Sequence, residues 1–255
     1  MRETLIRSAS GIVYVTLVVI LAMTGSTWLA GFMSIVAFGA WWEAAHLLKL
    51  SIRHPLRWVG VVIWSVLALS VFLHWPLGWT ILLLAFTPFL FSFLPVAPVR
   101  IFIWMWLSQV SFFMLAMYAL SPKYRMEVVL SLFVLIWVND SMAYVGGKWL
   151  GKHKLAPTIS PGKSWEGFFT GLFFSLALSM FLGFWLFREQ WWTWVPLTGV
   201  MLVLAVVGDL AESWLKRRAG AKDSGHIMPG HGGFLDRFDS FLLSIPPIYY
   251  FLLQI

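Results

Sequence analysis

Long apolar runs, separated by short polar breaks, dominate the pattern of hydrophobic and polar positions along this chain. A helix needs about 20 apolar residues to cross a bilayer, and breaks at charged residues, Pro and Gly divide the chain into nine segments near that length. The pattern therefore predicts an all-α polytopic membrane protein with about nine transmembrane helices. The predicted spans are 5–24, 27–48, 58–74, 77–95, 101–120, 127–147, 166–187, 191–213 and 239–255.

Polar residues are concentrated in the second half of the chain, where two loops are longer than the rest. These loops are 148–165 and 214–238, and together they carry 9 of the 18 Lys and Arg residues. We therefore divide the chain into an N-terminal region of about five transmembrane helices, 1–120, and a C-terminal region, 121–255, that contains both loops.

The distribution of basic residues predicts the orientation of these helices. With a cytoplasmic N-terminus, 15 of the 18 Lys and Arg residues lie in inside segments, and only Lys123, Arg125 and Arg188 lie outside. This bias follows the positive-inside rule, and it places both long loops in the cytoplasm and the C-terminus outside. The same bias explains the net charge of +7, so we expect membrane lipids and no nucleic acid as partners.

Composition agrees with a membrane protein and limits the kinds of site. The chain is 60% hydrophobic and 11% charged, whereas a soluble domain is about half apolar and about a quarter charged. It contains no cysteine. Disulfides and thiolate metal sites are therefore excluded.

Six carboxylates fall within or at the edge of apolar segments, where a charge costs about 2.5–3.5 kcal/mol and usually has a function. Asp209 follows an unbroken apolar run, and Glu212 and Ser213 share its helix face. Asp236 and Asp239 are three residues apart and also share a face. Three aspartates on two consecutive helices can therefore converge on one cavity. The six acids are Glu43, Asp140, Asp209, Glu212, Asp236 and Asp239.

Two interpretations of these aspartates are open. Asp236 and Asp239 also suit the first turn of the last helix, where acids are favoured. Asp209 lies near the C-terminal end of its helix, where the helix dipole disfavours an acid, and therefore requires a cation. Lys216 or Arg217 would supply it in a structural ion pair. A divalent metal is the alternative, and oxygen ligands without thiolates favour Mg²⁺.

The loop 214–238 is rich in glycine and leads into a helix, an arrangement that favours phosphate binding. Glycine lets the backbone approach a ligand closely, and a helix N-terminus attracts anions. The spacing matches neither a Walker A motif nor a dinucleotide fingerprint, and the histidines match no zinc pattern. The residues alone predict phosphate and metal at a membrane surface. The loop's glycines and histidines are Gly220, Gly225, His226, Gly230, His231, Gly232 and Gly233.

Polar residues also mark the predicted span 127–147 and the loop after it. Asn139 and Asp140 lie within the apolar span, and Tyr144 follows one turn later on the same face. In the loop, Ser164 is also suited to starting the next helix. That interpretation leaves Lys163 unexplained.

The segment 213–239, which reads SWLKRRAGAKDSGHIMPGHGGFLDRFD, closely resembles the signature of the phosphatidate cytidylyltransferases, also called CDP-diacylglycerol synthases. The segments NDSMAY at 139–144 and GKHKLAPTISPGKSWEG at 151–167 resemble the same family. The resemblance covers about 139–240, and the first hundred residues match only as membrane helices. Met228 departs from the Leu, Ile or Phe usual in the family but stays apolar.

The resemblance implies an enzyme that converts CTP and phosphatidic acid into CDP-diacylglycerol and pyrophosphate with one or two Mg²⁺ ions. It implies a homodimer in the bacterial inner (plasma) membrane, with the active site facing the cytoplasm and the catalytic region in 121–255. Asp209, Asp236 and Asp239 match the family's metal-binding acids.

The implied chemistry needs no strong general base, because the attacking lipid phosphate is already anionic. It needs charge neutralisation and in-line positioning. We expect Asp209, Asp236, Asp239, Lys222 and Arg237 to be catalytic. The predicted substrate-binding residues are Asn139, Asp140, Tyr144, Lys148, Ser160, Lys163, Glu166, Ser213, Lys216, Arg217, Asp223, His231, Gly232 and Gly233.

Two other functions remain as alternatives. A CTP-dependent lipid kinase would use similar metal and phosphate groups but would release CDP. A cation-coupled transporter with Asp140 and Asp209 as ion sites would need broken helices at corresponding places in two halves. The polar features lie in the second half, with no counterpart in the first.

Replacement of Asp239 by Asn should abolish turnover and leave the protein inserted in the membrane. The amide keeps the size of the side chain but removes the negative charge that would hold a metal. Activity of the membrane fraction, at matched protein level, measures this. Normal activity would exclude Asp239 from the site.

Overall fold

The computed structural model describes residues 2–24, 26–73, 125–225, 227 and 232–254, and also 114, 116, 118, 119, 121 and 123. Three helices come first, α1 (Arg2–Thr24), α2 (Ser26–Leu47) and α3 (Pro55–Phe72). Then follow α4 (Met126–Leu150), β1 (Lys154–Ala156), β2 (Ser160–Ser164), α5 (Trp165–Phe187), α6 (Trp191–Ala219), α7 (Phe234–Phe238), a 3₁₀ helix (Asp239–Phe241) and α8 (Ile245–Gln254).

The helical membrane architecture is confirmed in its coarse form. Within the described ranges, α4, α5 and α6 are long and apolar enough to cross a membrane. Helices α1, α2 and α3 cover the first three predicted spans. The predicted span 77–95, and 101–120 apart from four residues, lie outside the described residues. The total of nine spans and the sides of the termini stay predictions.

Two predicted helix ends are wrong because the helices continue into the basic segments. Helix α4 reaches Leu150 and α6 reaches Ala219, so Lys148 and Lys216 lie on helices and not in loops. Long basic side chains are favoured in the last turn of a helix, where they complement its dipole. Gly220, directly after the last helical residue, caps the C-terminus of α6. Its φ of 75° is left-handed, and its N–H donates to backbone carbonyls of the last turn.

The predicted last span, 239–255, is divided in the structure. The 3₁₀ helix is followed by a turn, and α8 has only 10 residues. Pro246 and Pro247 lie in the first turn of α8, where a missing N–H is tolerated, so they fix the start of this helix. Ten residues reach about 15 Å, half of the hydrocarbon thickness, so α8 is too short to cross alone.

The loop 148–165 contains an antiparallel hairpin, β1–β2, which the sequence does not predict. The hairpin packs on α4, α5 and α6. At its end, Ser164 Oγ accepts a hydrogen bond of 3.2 Å from the Gly167 N–H and caps α5, which confirms the helix-start interpretation. Glu166 Oε1 lies 2.6 Å from His153 Nδ1. The Glu166 carboxylate also accepts hydrogen bonds from the backbone N–H groups of Lys152 and His153, the two residues before β1.

Helices α4 and α5 pack closely through small residues. A Cβ on Gly171 would lie 2.6 Å from the backbone oxygen of Asn139, and one on Gly167 would lie 2.5 Å from that of Ala143. Small residues allow such close approach between membrane helices. The packing fixes the part of α4 that carries Asp140. The small buried residues of α5 recur every four positions, at Gly167, Gly171, Ser175, Ser179 and Gly183.

Candidate active site

Asp209 on α6 is neutralised by a lysine from the hairpin. The ammonium group of Lys163 on β2 forms an ion pair with Asp209 Oδ2, and Ser213 Oγ donates to Asp209 Oδ1 at 3.4 Å. Of the two open interpretations of Asp209, the structural ion pair with Lys216 or Arg217 is therefore wrong in its partner. Lys163 neutralises Asp209 because the hairpin lies against α6.

Asp140 and Asp239 lie beside this ion pair. Ser240 Oγ donates to Asp140 Oδ2 at 3.3 Å, and the Ser240 N–H donates to Asp239 Oδ1 at 2.7 Å. A Cβ on Gly208 would lie 2.7 Å from the carbonyl oxygen of Asp239, so α6 and the 3₁₀ helix touch directly before Asp209. The charges of the three aspartates lie within electrostatic range of one another.

We call Asp140, Lys163, Asp209, Asp239 and Ser240 the Asp209 cluster. It joins α4, β2, α6 and the 3₁₀ helix. Three carboxyl groups and one ammonium group lie close together there. Because carboxylate oxygens are the ligands that hard cations such as Mg²⁺ prefer, this group suits a cation.

Asp236 belongs to a second arrangement, in which both of its oxygens are occupied. Lys216 Nζ donates to Asp236 Oδ1 at 2.7 Å and lies 2.6 Å from Glu212 Oε2. Asp236 Oδ2 accepts hydrogen bonds of 2.8 Å from the Ser224 N–H and the Gly233 N–H, and the Ser224 hydroxyl also lies 2.8 Å from it. The bond from the Gly233 N–H caps α7, so Asp236 has a capping role, but at this short helix and not at the last helix as predicted.

These donors keep Asp236 ionised. Burial alone raises the pKa of Asp236, but the hydrogen bond from the Gly233 N–H and the ammonium group of Lys216 together hold that pKa below its ordinary value. Gly232 has a φ of 81°, and a Cβ there would lie 2.3 Å from Asp236 Oδ2. Glycine at 232 is therefore required both by the backbone and by the close carboxylate.

Glu43, from the first region of the chain, completes this arrangement. Its carboxylate accepts hydrogen bonds from the Phe234 N–H at 2.9 Å and from the Leu235 N–H at 3.0 Å. Ser224 Oγ lies 2.8 Å from Glu43 Oε2, so its one hydrogen is shared between Glu43 and Asp236. The sequence marks Glu43 only as an acid in an apolar segment. We call Glu43, Glu212, Lys216, Ser224 and Asp236 the Asp236 cluster.

The other predicted site residues differ in burial, and one of them lies outside the described residues. Arg237 is half-buried, and its Nε has no hydrogen-bond partner among the described residues. Arg217 Nη1 donates to the Ala221 carbonyl at 3.3 Å, and Asn139 Nδ2 donates to Asp140 at 3.4 Å. His231 lies outside the described residues, as do His226, Met228, Pro229 and Gly230. Ser160 begins β2, and the side chains of Tyr144, Lys148, Lys222 and Asp223 are exposed.

The predicted metal ligands are therefore divided between two clusters. Asp209 and Asp239 belong to the Asp209 cluster, and Asp236 is held by Lys216 in the other. Within the part of the chain that the structure describes, no three His, Asp or Glu residues are arranged as ligands of one metal ion. The metal-binding set stays a prediction.

Comparison with known proteins assigns the family. A family model described as "Cytidylyltransferase family" matches residues 5–255. The chain belongs to this cytidylyltransferase family. It is 44% identical to a phosphatidate cytidylyltransferase of Staphylococcus aureus (strain COL) over 130 residues, 51% of this chain and 50% of that protein. The same name belongs to a relative from Staphylococcus haemolyticus, 43% identical over 130 residues with the same coverage. The match spans about half the length of these relatives.

The sequence alone does not identify two residues of the site and one pairing. It gives Glu43 and Ser224 no role, and it predicts Lys163 at a phosphate and not at Asp209. A carboxylate within an apolar helix was the available signal for Glu43. Its partners lie more than 180 residues away, so no local pattern identifies them.

Replacement of Lys216 by Met should lower the free energy of unfolding of this protein by about 3–5 kcal/mol, the cost of removing one partner from a buried ion pair. The change leaves the buried carboxylates of Glu212 and Asp236 without their ammonium partner. Thermal unfolding in detergent measures the loss. Arg218 is the matched control, because it is exposed on the same helix turn and stacks only over Trp214 at 5.3 Å. Equal stability of Lys216→Met and Arg218→Met would contradict the prediction.

Proposed function

We propose that this cytidylyltransferase transfers the CMP group of CTP to phosphatidic acid, giving CDP-diacylglycerol and pyrophosphate. The observation that carries this proposal is the Asp209 cluster, in which carboxylates and a lysine from four separate segments meet. The names of the Staphylococcus relatives support the same reaction.

The reaction joins two anions, and this determines what the residues must do. A phosphate oxygen of the lipid bonds to the α-phosphorus of CTP, and the bond from that phosphorus to the bridging oxygen of the β-phosphate breaks, releasing pyrophosphate. Because the nucleophile is already ionised, the site must neutralise charge and align the two groups. Arg237 suits a phosphate, since its Nε is buried without an acceptor among the described residues. Lys163 and Lys222 are the other proposed phosphate contacts.

A Mg²⁺ ion fits part of the predicted ligand set. Asp209 and Asp239 would hold it, because carboxylate oxygens are the ligands that Mg²⁺ prefers and their cluster brings three carboxyl groups together. Asp236 does not fit in this arrangement, since Lys216, Ser224 and Gly233 occupy its oxygens. When bound, the ion would neutralise phosphate charge that the lysines leave uncompensated.

In this proposal the protein is a homodimer in the plasma membrane. Both clusters face the cytoplasm, and the lipid substrate enters from the inner leaflet. The basic residues support this side, because 15 of 18 fall in the predicted inside segments. Exposed apolar side chains on α5, among them Phe173, Phe181 and Phe184, suit contact with lipid. The mass of the purified protein in detergent tests the dimer.

Purified protein with phosphatidic acid and CTP should release pyrophosphate and form a CMP-bearing lipid when Mg²⁺ is present. EDTA should stop both, because the substrate phosphates then lose their counter-ion. Release of CDP with a phosphorylated lipid would favour the lipid kinase. No nucleotide turnover with several lipids, combined with ion uptake by liposomes lacking nucleotide, would favour the transporter.

The absence of cysteine allows the orientation to be tested with single introduced thiols. We expect Arg188→Cys to react with a membrane-impermeant maleimide in cells whose cytoplasmic membrane is intact. Lys152→Cys should react only after permeabilisation. Both positions are exposed in the structure, so access to the thiol depends on the membrane. The reverse labelling pattern would overturn the orientation.

A further inference from the structure

Glu43 performs the N-terminal capping of α7 from a different helix. The first N–H groups of a helix have no partner within it, and in α7 these belong to Phe234 and Leu235. Both donate to the carboxylate of Glu43, at 2.9 and 3.0 Å. Gly233, which precedes them, has no side chain that could do this. The start of α7 is therefore fixed to α2 by a residue that is 6% exposed.

Ser224 links Glu43 to Asp236. Its Oγ lies 2.8 Å from Glu43 Oε2 and 2.8 Å from Asp236 Oδ2. Lys216 holds the other oxygen of Asp236. Polar contacts thus link four elements in series: α6 through Lys216, α7 through Asp236, the loop after α6 through Ser224, and α2 through Glu43.

Two glycines of the loop make room for this carboxylate. A Cβ on Gly225 would lie 2.5 Å from Glu43 Oε1, and a Cβ on Gly233 would lie 2.2 Å from the same carboxylate. Neither glycine has the positive φ found at Gly220 and Gly232. Close approach of Glu43, and not backbone conformation, therefore requires glycine at these two positions.

We propose that Glu43 is a positioning residue of the transfer site, fixing the loop at Ser224 and Gly225 and the start of α7. Helix α7 continues without a break into the 3₁₀ helix that begins at Asp239. The position of α7 therefore determines where the Asp239 side chain lies relative to Asp209. The kinetic part of this proposal rests on the proposed function, whereas the fixing of the loop does not.

Replacement of Glu43 by Ala should lower kcat by about tenfold to a hundredfold, because misplacement of reacting groups by about 1 Å costs that much. The change in KM for CTP should be smaller. Trypsin should cleave after the exposed Lys222 severalfold faster, since the loop loses its attachment to α2. Glu127→Ala is the matched control: this exposed glutamate lies in the first turn of α4, away from both clusters.

A double-mutant cycle with Gly233→Ala makes the test specific. The alanine methyl group collides with the Glu43 carboxylate, so Gly233→Ala alone should also lower kcat and speed cleavage. In the background of Glu43→Ala the collision partner is gone, and adding Gly233→Ala should change little more. Effects that multiply in the double variant would show independent action and overturn the proposal.

Each remaining outcome is decisive. Wild-type kcat, KM and cleavage rate in Glu43→Ala would overturn the positioning role. If the wild-type protein transfers no CMP, the proposed function fails, and the trypsin rates alone decide whether Glu43 fixes the loop. If Glu43→Ala does not fold, Glu43→Gln replaces it: it keeps the length of the side chain but turns one acceptor into a donor facing N–H groups, and should show the same changes.

Discussion

Charged groups placed among apolar helices must find partners of opposite charge, and this requirement joins the parts of this protein. Helix α6 carries Asp209, Glu212 and Lys216 within two turns. Asp209 reaches the hairpin through Lys163, and Lys216 reaches α7 through Asp236. Because removal of one partner would leave a buried charge uncompensated, hairpin, helix and loop depend on one another. Helix α6 thus positions both clusters.

Close packing of small residues gives these charges a fixed frame. Helices α4 and α5 approach until the backbone of Asn139 touches Gly171, and Ser175 Oγ donates across the same interface to the Leu135 carbonyl at 3.2 Å. Dispersion contacts and interhelical hydrogen bonds take the place of the hydrophobic effect between helices in lipid. Asp140 is consequently held on a closely packed helix and not on a loop, which on the proposed function suits a site that aligns two anions.

What the sequence predicts well is local, and what it misses depends on distant contacts. The long apolar helices follow from runs of about 20 apolar residues, and the cap at Ser164 follows from residues within one turn. The end of α6 was misplaced because Lys216 and Arg217 suit both a loop and a last helical turn. The pairing of Lys163 with Asp209 requires the hairpin, whose strands the sequence does not mark. Glu43 and Ser224 are 181 residues apart.

The three aspartates of the predicted metal set have different surroundings, and this changes how the family signature is interpreted. Asp236 accepts hydrogen bonds from Lys216 and from the N–H groups of Ser224 and Gly233, so its charge is already used in holding α7 and the loop. Among the described residues, the Asp239 carboxylate accepts one hydrogen bond, from the backbone N–H of Ser240. Asp209 forms an ion pair with Lys163. Within the described part of the chain, fewer protein donors therefore reach Asp209 and Asp239 than reach Asp236. On the proposed function, a cation and the substrate phosphates meet at the Asp209 cluster, while Asp236 and Glu43 hold the segment that carries Asp239.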